Sequence, residues 1–444
     1  MLALLSSAPA CAAPFSLADA LAVAYQTNPQ LLSARAALDA LDQGVAQANA
    51  GWRPSINASG TYGFERGAVQ GIASPFVTWP ITAQVTVTEP IFRGGRTLAE
   101  LRRAITLVRA GRAQLLSVEQ QVLLNAATAY EDVVRDTAIE RLNSDNVRSL
   151  ELELRAATTE LTAGDVTRTD ELQAEARLSR ARADLALAQS RLAASRAEYE
   201  AVIGRPAETL MDDGRPPVLP VTRDAALDLA LRQNPDLMQA KYGARAADYA
   251  VEDAAGALLP QVSVSGQYQF LQDASGTNIF ATKKPQAIVN VLAQVTIPIY
   301  QGGGDEATVR RARDVARQTS IDIATAERGV RQDLDSAWQA FLSGRLALAS
   351  SVAEANADQA AMAGVQEERR GGERTELDVL NAEQEYVSAQ VSAASARHDY
   401  LLAAYRVMAA TGQLTAQRLS LNVTLYDPAK HYAESADAWF GFDE

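Results

Sequence analysis

The sequence predicts a mixed α and β membrane protein. Each chain supplies four transmembrane β-strands to a barrel closed with copies of itself, and the remainder forms very long helices. Three observations predict this. The chain repeats itself at half length. Four segments switch from helical to period-two patterning. Each strand pair is followed by about 65 residues of helical pattern without a proline.

Leu21 to Phe64 and Leu227 to Phe270 repeat one pattern with the same residues at its key positions. Asn28-Pro29 recurs as Asn234-Pro235, Pro54 as Pro260, and Gly60-x-Tyr62-x-Phe64 as Gly266-x-Tyr268-x-Phe270. A shift of about 206 positions is far beyond a solenoid unit, so the repeat is a duplicated structural unit.

In each half the elements follow one order. Ser16 to about Thr27 reads as a short helix with Ser16 as N-cap. Asn28-Pro29 stops and restarts the chain, with proline at the first helical position. Helix then continues from Gln30 to Gly51. Strands are expected at residues 54–64 and 77–92. Ile56, Ala58, Gly60, Tyr62 and Phe64 alternate there with Ser55, Asn57, Ser59, Thr61 and Gly63, and Ala83, Val85 and Val87 alternate with Gln84, Thr86 and Thr88. A Gly-containing loop, Glu65 to Pro75, joins them, and Gly94-Gly95 ends the pair.

The second half repeats this, with strands expected at 261–271 and 286–300, a loop from Asp273 to Pro285 and an end at Gly302-Gly303-Gly304. Long helices follow from Arg96 to Leu161 and from Asp305 to Arg369, a reach of roughly 100 Å each. Gly164 and Gly371-Gly372 break them. Return helices run from Thr167 to Ile203 and from Thr375 to Ala410. The expected organisation is a signal-like segment (1–15), a first repeat (16–213), a crossover linker (214–221), a second repeat (222–412) and a tail (413–444).

Composition narrows the function. The chain has 444 residues, 48% hydrophobic but only 6% aromatic, which suits closely packed alanine-rich helices. A net charge of −13 argues against a nucleic-acid partner. One cysteine, Cys11, excludes an internal disulfide or a thiolate cluster, and two histidines, His398 and His431, leave little for metal or acid–base work. No phosphate loop, nucleophile elbow or His-x-x-x-His is present, so neither an enzyme nor a cofactor or metal is expected. Leu2 to Leu5 and the small residues around Ala10-Cys11-Ala12 read as the end of a secretory signal whose positive region precedes the numbered start. Lipidation of Cys11 is the lesser reading. No stretch is apolar enough for a membrane helix.

Two readings of the strands compete: soluble hairpins packed on helices, or transmembrane strands with an apolar lipid face and a polar lumen face. Strand length and the aromatics near strand ends (Tyr62, Phe64, Trp79, Tyr268, Phe270) favour the second. A bilayer tolerates no open sheet edge, and four strands do not close. Two, three or four copies would give 8, 12 or 16 strands, and physics alone does not choose.

The duplicated helix–Asn-Pro–helix–Pro–strand units and the Pro-x-[Phe/Tyr]-x-Gly-Gly turns at Pro90 to Gly95 and Pro298 to Gly303 resemble the TolC family of outer-membrane efflux proteins. So do the paired motifs Gly164-x-x-Thr167-x-x-Asp170-x-Leu172-x-Ala174 and Gly372-x-x-Thr375-x-x-Asp378-x-Leu380-x-Ala382. The resemblance covers Ser16 to about Leu425. The tail from Leu425 to Gly441 is similar to the branch serving type I secretion.

The resemblance implies a homotrimer with one 12-stranded barrel in the outer membrane of a Gram-negative bacterium, continued by a long periplasmic α-helical barrel. It implies a passive exit duct for type I protein secretion or small-molecule efflux. The duct would meet outer-membrane lipid, a periplasmic adaptor and an inner-membrane ABC or proton-driven transporter. The alternative is a structural or adhesive coiled-coil surface protein without a pore.

The resemblance also implies a periplasmic gate at the helix–turn–helix tips. Asp378 matches an acidic position lining the constriction. The family's frequent second acid is Asn381 here, which weakens any acidic ring. Arg374, Asp170 and Thr169 match positions that tie neighbouring coils together, and a tyrosine of that network is replaced by Arg369, so the lock is expected to be built differently. The adaptor is expected to touch the tips at Gly164, Gly371 and Gly372. The plain alternative for Asp170 and Asp378 is that of helix-start acids at the positive end of a helix dipole.

Overall fold

The structure, a computed structural model, describes residues 15–68, 76–164, 166–212, 214–273 and 284–439. Cys11 and the signal-like segment before Phe15 lie outside the described residues, as do most of both expected inter-strand loops.

Helix α1 (Leu17–Thr27) begins with a capping box in which Ser16 accepts from the Asp19 amide and the Asp19 carboxylate accepts from Ser16. Helix α2 (Pro29–Asn49) follows directly. The Asn-Pro pairs explain themselves in space. Asn28 Oδ1 accepts from the Gln30 amide at 3.0 Å, and its Nδ2 donates to Val202 O at 2.9 Å. Asn234 repeats this with the Asp236 and Leu237 amides at 3.0 and 3.2 Å, and its Nδ2 donates to Ala410 O at 3.2 Å. Each asparagine thus starts one helix and fastens the end of another.

Four strands form one antiparallel sheet in the order β1 (Ser55–Tyr62), β4 (Pro80–Arg93), β5 (Gln261–Asp273), β6 (Gln286–Thr296). The halves of the repeat therefore meet at β4 and β5, and β1 and β6 are the edges. The register lines up whole rows of like chemistry. Ile56, Val87, Gly266 and Val291 form one apolar row, and Ala58, Val85, Tyr268 and Val289 the next. Between them, Asn57, Thr86, Gln267 and Asn290 form a polar row. The apolar rows are open to solvent in the single chain, with Val289 71% and Val291 77% exposed.

Strand boundaries differ from the expected ones at several places, β1 among them, which covers Ser55–Tyr62 where 54–64 was expected. The first hairpin continues past its expected loop, because β2 (Glu65–Gly67) pairs with β3 (Phe76–Thr78). Residue 79 separates β3 from β4, where Trp79 packs on Tyr62 at 6.0 Å and Phe64 at 4.9 Å between ring centroids. Strand β5 runs on to Asp273 because Pro80 gives that residue a register partner. Strand β6 stops at Thr296, where Pro298 removes a ladder donor.

Beyond the strands, Gly94 and Gly95 take φ of +65° and +80°, and Gly302 and Gly303 repeat these at +64° and +80°. A Cβ on Gly94 would strike the Gly256 carbonyl, and one on Gly256 would meet Gly94 O at 2.7 Å. Glycine is required on both sides of that approach.

The long helices are α3 (Arg96–Ala163) and α7 (Gly304–Arg370), returned by α4 (Arg168–Ile203) and α8 (Glu376–Ala410). Helices α5 (Arg223–Gln233) and α6 (Pro235–Gly256) repeat α1 and α2, and α9 (Lys430–Ser435) lies in the tail. No described helix is long and apolar enough to cross a membrane.

Two compact units emerge. One joins residues 37–112, 239–324 and 427–444 and contains the sheet. The other joins residues 1–36, 113–238 and 325–426. The core of the second includes Leu21, Leu31, Tyr130, Tyr199, Ile203, Leu334, Leu401 and Leu414, all less than 2% exposed or close to it. Buried Tyr130 donates its hydroxyl toward Phe15 O at 2.9 Å, which supplies the polar partner its ring needs inside a core.

Candidate functional site

The paired motifs form two helix–turn–helix tips of nearly identical construction. Helix α7 ends in a Schellman turn: Gly372, at φ +80°, donates to Arg369 O at 2.9 Å, and Glu373 donates to Glu368 O at 2.9 Å. Gly164, at φ +88°, donates to Leu161 O at 3.1 Å at the end of α3. The return helices then start with twin capping boxes. Asp170 Oδ2 accepts from Thr167 N at 2.8 Å and Oγ1 at 2.7 Å, and Asp378 Oδ2 accepts from Thr375 at 2.9 and 2.8 Å. The backbone and side-chain hydrogen bonds from Thr167 hold the Asp170 carboxyl below the usual carboxylate range. Those from Thr375, with Arg374 nearby, do the same for Asp378.

The expected gate residues are thus placed as follows. Asp170 and Asp378 build their own helix starts. Arg374 donates to Glu368 Oε2 at 2.9 Å within the same tip, and no ion pair joins it to Asp170 within the described chain. Thr169 is exposed on the first turn of α4. Asn381 accepts from Arg177 Nη2 at 2.7 Å, while Arg177 Nη1 donates to Leu380 O at 2.9 Å, which couples α4 to α8. Arg369 reaches Glu160 on α3 at 3.8 Å and pairs closely with Glu376 on α8, so it bridges three helices. Gly164, Gly371 and Gly372 are all exposed at the turns.

Beneath the tips lies an apolar layer from three helices: Val147, Leu150 and Leu154 of α3, Leu178, Ala181 and Leu185 of α4, and Leu380 of α8. Set into this region is an acidic group absent from the expectation. Glu153 of α3 faces Glu383 and Glu376 of α8 and Arg369 of α7. Burial, the hydrogen bond to Glu383 and the surrounding negative charge push the Glu153 carboxyl up to about 9, although Arg369 opposes the shift. Burial likewise raises Glu376 despite Arg369. Gln366 of α7 donates to Glu383 at 3.3 Å. A sequence signal existed: Glu153 and Glu160 stand seven apart, as do Glu376 and Glu383, a spacing that returns side chains to one face of packed helices.

A second polar centre lies deeper in the same unit. His398, 8% exposed, contacts Asp132 and Asp399, each at 2.9 Å. Burial lowers its basicity, but these two carboxylates outweigh that and raise it. This is a satisfied structural histidine in an ion network that also holds Arg135 and Asp136.

A sheet with open edges and aligned apolar rows, joined to twin helical hairpins with matched tips, defines an outer-membrane channel with a helical tunnel and a β-barrel portion. A solved structure with this fold is the Campylobacter jejuni CmeC outer membrane channel, with a TM-score of 0.79 at 17% identity, covering 95% of this chain and 89% of that one. The family model for outer membrane efflux proteins matches residues 20–205 and 226–413, one match for each half of the duplication. The chain belongs to the outer membrane efflux protein family. It is 34% identical over 426 residues to the outer membrane efflux protein BepC of Brucella suis, covering 96% of this chain and 91% of that protein. It is also 23% identical to the alkaline protease secretion protein AprF of Pseudomonas aeruginosa, over 76% of this chain and 70% of the relative. The chain is an outer-membrane exit duct, and the reading as a poreless adhesive coiled coil is set aside. The family consists of channels rather than enzymes.

Proposed function

We propose that three copies of this chain assemble into one duct that docks onto a periplasmic adaptor and an inner-membrane transporter. The observation that carries this is the four-stranded sheet with two unpaired edges and register-aligned apolar rows. Such a sheet is stable in lipid only when each edge meets another copy. Three copies give a 12-stranded closure in which the apolar rows face lipid and the Asn57–Asn290 row faces water.

The tips are the gate in this reading. Arg369 joins α3, α7 and α8, and Arg177 joins α4 and α8, so each chain's hairpins are tied internally. Thr169 and Arg374 are exposed, and Arg374 would exchange its Glu368 partner in the same tip for one on the adjacent copy. Exposed pairs of this kind are weak one by one, so a threefold set biases a closed state that a docking partner is able to reverse. The adaptor meets the turns at Gly164, Gly371 and Gly372. Relatives named for protease secretion support proteins as one cargo class in this reading.

The test is single-channel conductance in planar bilayers. Arg374→Ala is expected to raise conductance, with Arg369→Ala raising it further because it releases three helices. Unchanged conductance in both removes the gate assignment. A heat-sensitive trimer in native mass spectrometry tests the assembly itself, and a monomer in detergent would overturn it.

A further inference from the structure

The short terminal helix α9 is held against α2 and the start of α3 by a series of contacts. Asn49 Nδ2 donates to Ala436 O at 2.9 Å. Arg53 donates to Ala438 O at 2.6 Å and lies 4.4 Å over the Trp439 ring. Arg112 donates to Pro428 O at 3.1 Å and lies 5.4 Å over the Tyr432 ring. Among these contacts sit two carboxylates and an imidazole. Asp39 and Asp42 stand three residues apart on α2 and so share a face. His431 Nδ1 is 3.1 Å from Asp42 Oδ2 and 3.7 Å from Asp39 Oδ1.

Two features set this group apart from an ordinary His–Asp pair. One ligand atom from each of the three residues lies within 4.8 Å of the others. Asp42 is also wholly buried, at 0% exposure, and its Oδ1 has no hydrogen-bond partner. A buried carboxylate oxygen without a partner is unfavourable, and a bound cation is one of the few occupants that removes that penalty.

We propose that Asp39, Asp42 and His431 form a divalent transition-metal site that pins the C-terminal tail to α2, and that zinc is the ion it suits best. The distances agree with a tetrahedral ion. With metal–ligand bonds of about 2.0–2.1 Å, neighbouring ligand atoms stand about 3.3 Å apart; the two separations from His431 Nδ1, 3.1 and 3.7 Å, lie near that spacing, and the two carboxylate oxygens lie within 4.8 Å of each other. Donor chemistry selects the ion. An imidazole with two carboxylates suits zinc and its neighbours, whereas calcium and magnesium require larger sets of oxygen ligands. Three protein ligands leave a fourth position for water. The sequence alone gave no hint, since 389 positions separate Asp42 from His431.

The test uses the full-length protein in detergent, purified without a polyhistidine tag, stripped with chelator and titrated with zinc chloride. Retained metal is measured by plasma mass spectrometry after gel filtration. The expected result is one zinc per chain, at least a tenfold loss of retained zinc in Asp42→Asn and in His431→Gln, and slower trypsin cleavage after Lys430 in the zinc-loaded wild type. No retained zinc in the wild type overturns the proposal, as does equal retention in both variants. Should Asp42→Asn fail to assemble, His431→Gln decides, because His431 is 35% exposed and tolerates replacement better.

Discussion

Glu153 and Asp378 are both acids near the tips, and the fold drives them in opposite directions. Burial and Glu383 raise Glu153 to about 9, so between about pH 4.5 and 9 the folded chain keeps a proton that the unfolded chain has lost. Its contribution is full below the ordinary carboxyl range and declines as pH rises through that window. Glu153→Gln imitates the protonated form. It is expected to raise the thermal midpoint at pH 8 and leave it almost unchanged at pH 5, as measured by circular dichroism across pH. Asp170 and Asp378 behave in the reverse sense. Their lowered carboxyls stabilise the tips above the ordinary aspartate range and lose that effect as pH falls below about 4. The two aspartates were legible as helix-start acids because each follows a glycine break by a few residues in a motif that both halves carry. Glu153 was not, because its partners lie on other helices and only the heptad spacing of glutamates pointed to them.

At the scale of elements, the tips depend on their capping boxes. Thr375→Ala removes the acceptor for the Asp378 amide and is expected to cost about 1 kcal/mol, within the usual range for a lost N-cap. Hydrogen exchange should accelerate in the first turns of α8 and leave the helix near Leu401 protected. The long helices were legible almost to the residue, because glycines stop them and no proline interrupts them. The strands were less so. Alternation fixed their faces, but their lengths depend on partners. The extension through β2 and β3 exists because the two sides of a hairpin find each other, and β5 lengthens because β4 reaches Asp273.

At the scale of the whole molecule, the rows across the sheet separate two surfaces that a single substitution distinguishes. Val291→Lys places a charge on the apolar rows and is expected to cost about 2–4 kcal/mol near the bilayer centre. Asn290→Lys, one residue away on the polar row, is expected to be tolerated. Recovery of heat-sensitive trimer from outer membranes measures both, and equal recovery would reverse the assignment of faces. The strand order carries one more consequence. Four is an even number, so the alternation of strand direction continues without a break when β6 of one copy meets β1 of the next. That seam is limited by the eight residues of β1, whereas β4 and β5 pair over most of their length inside the chain. Closure is therefore an encounter between copies and not a property of any one of them. The yield of finished barrels should rise steeply with chain concentration, and dilution during refolding should strand half-built sheets with their edges open.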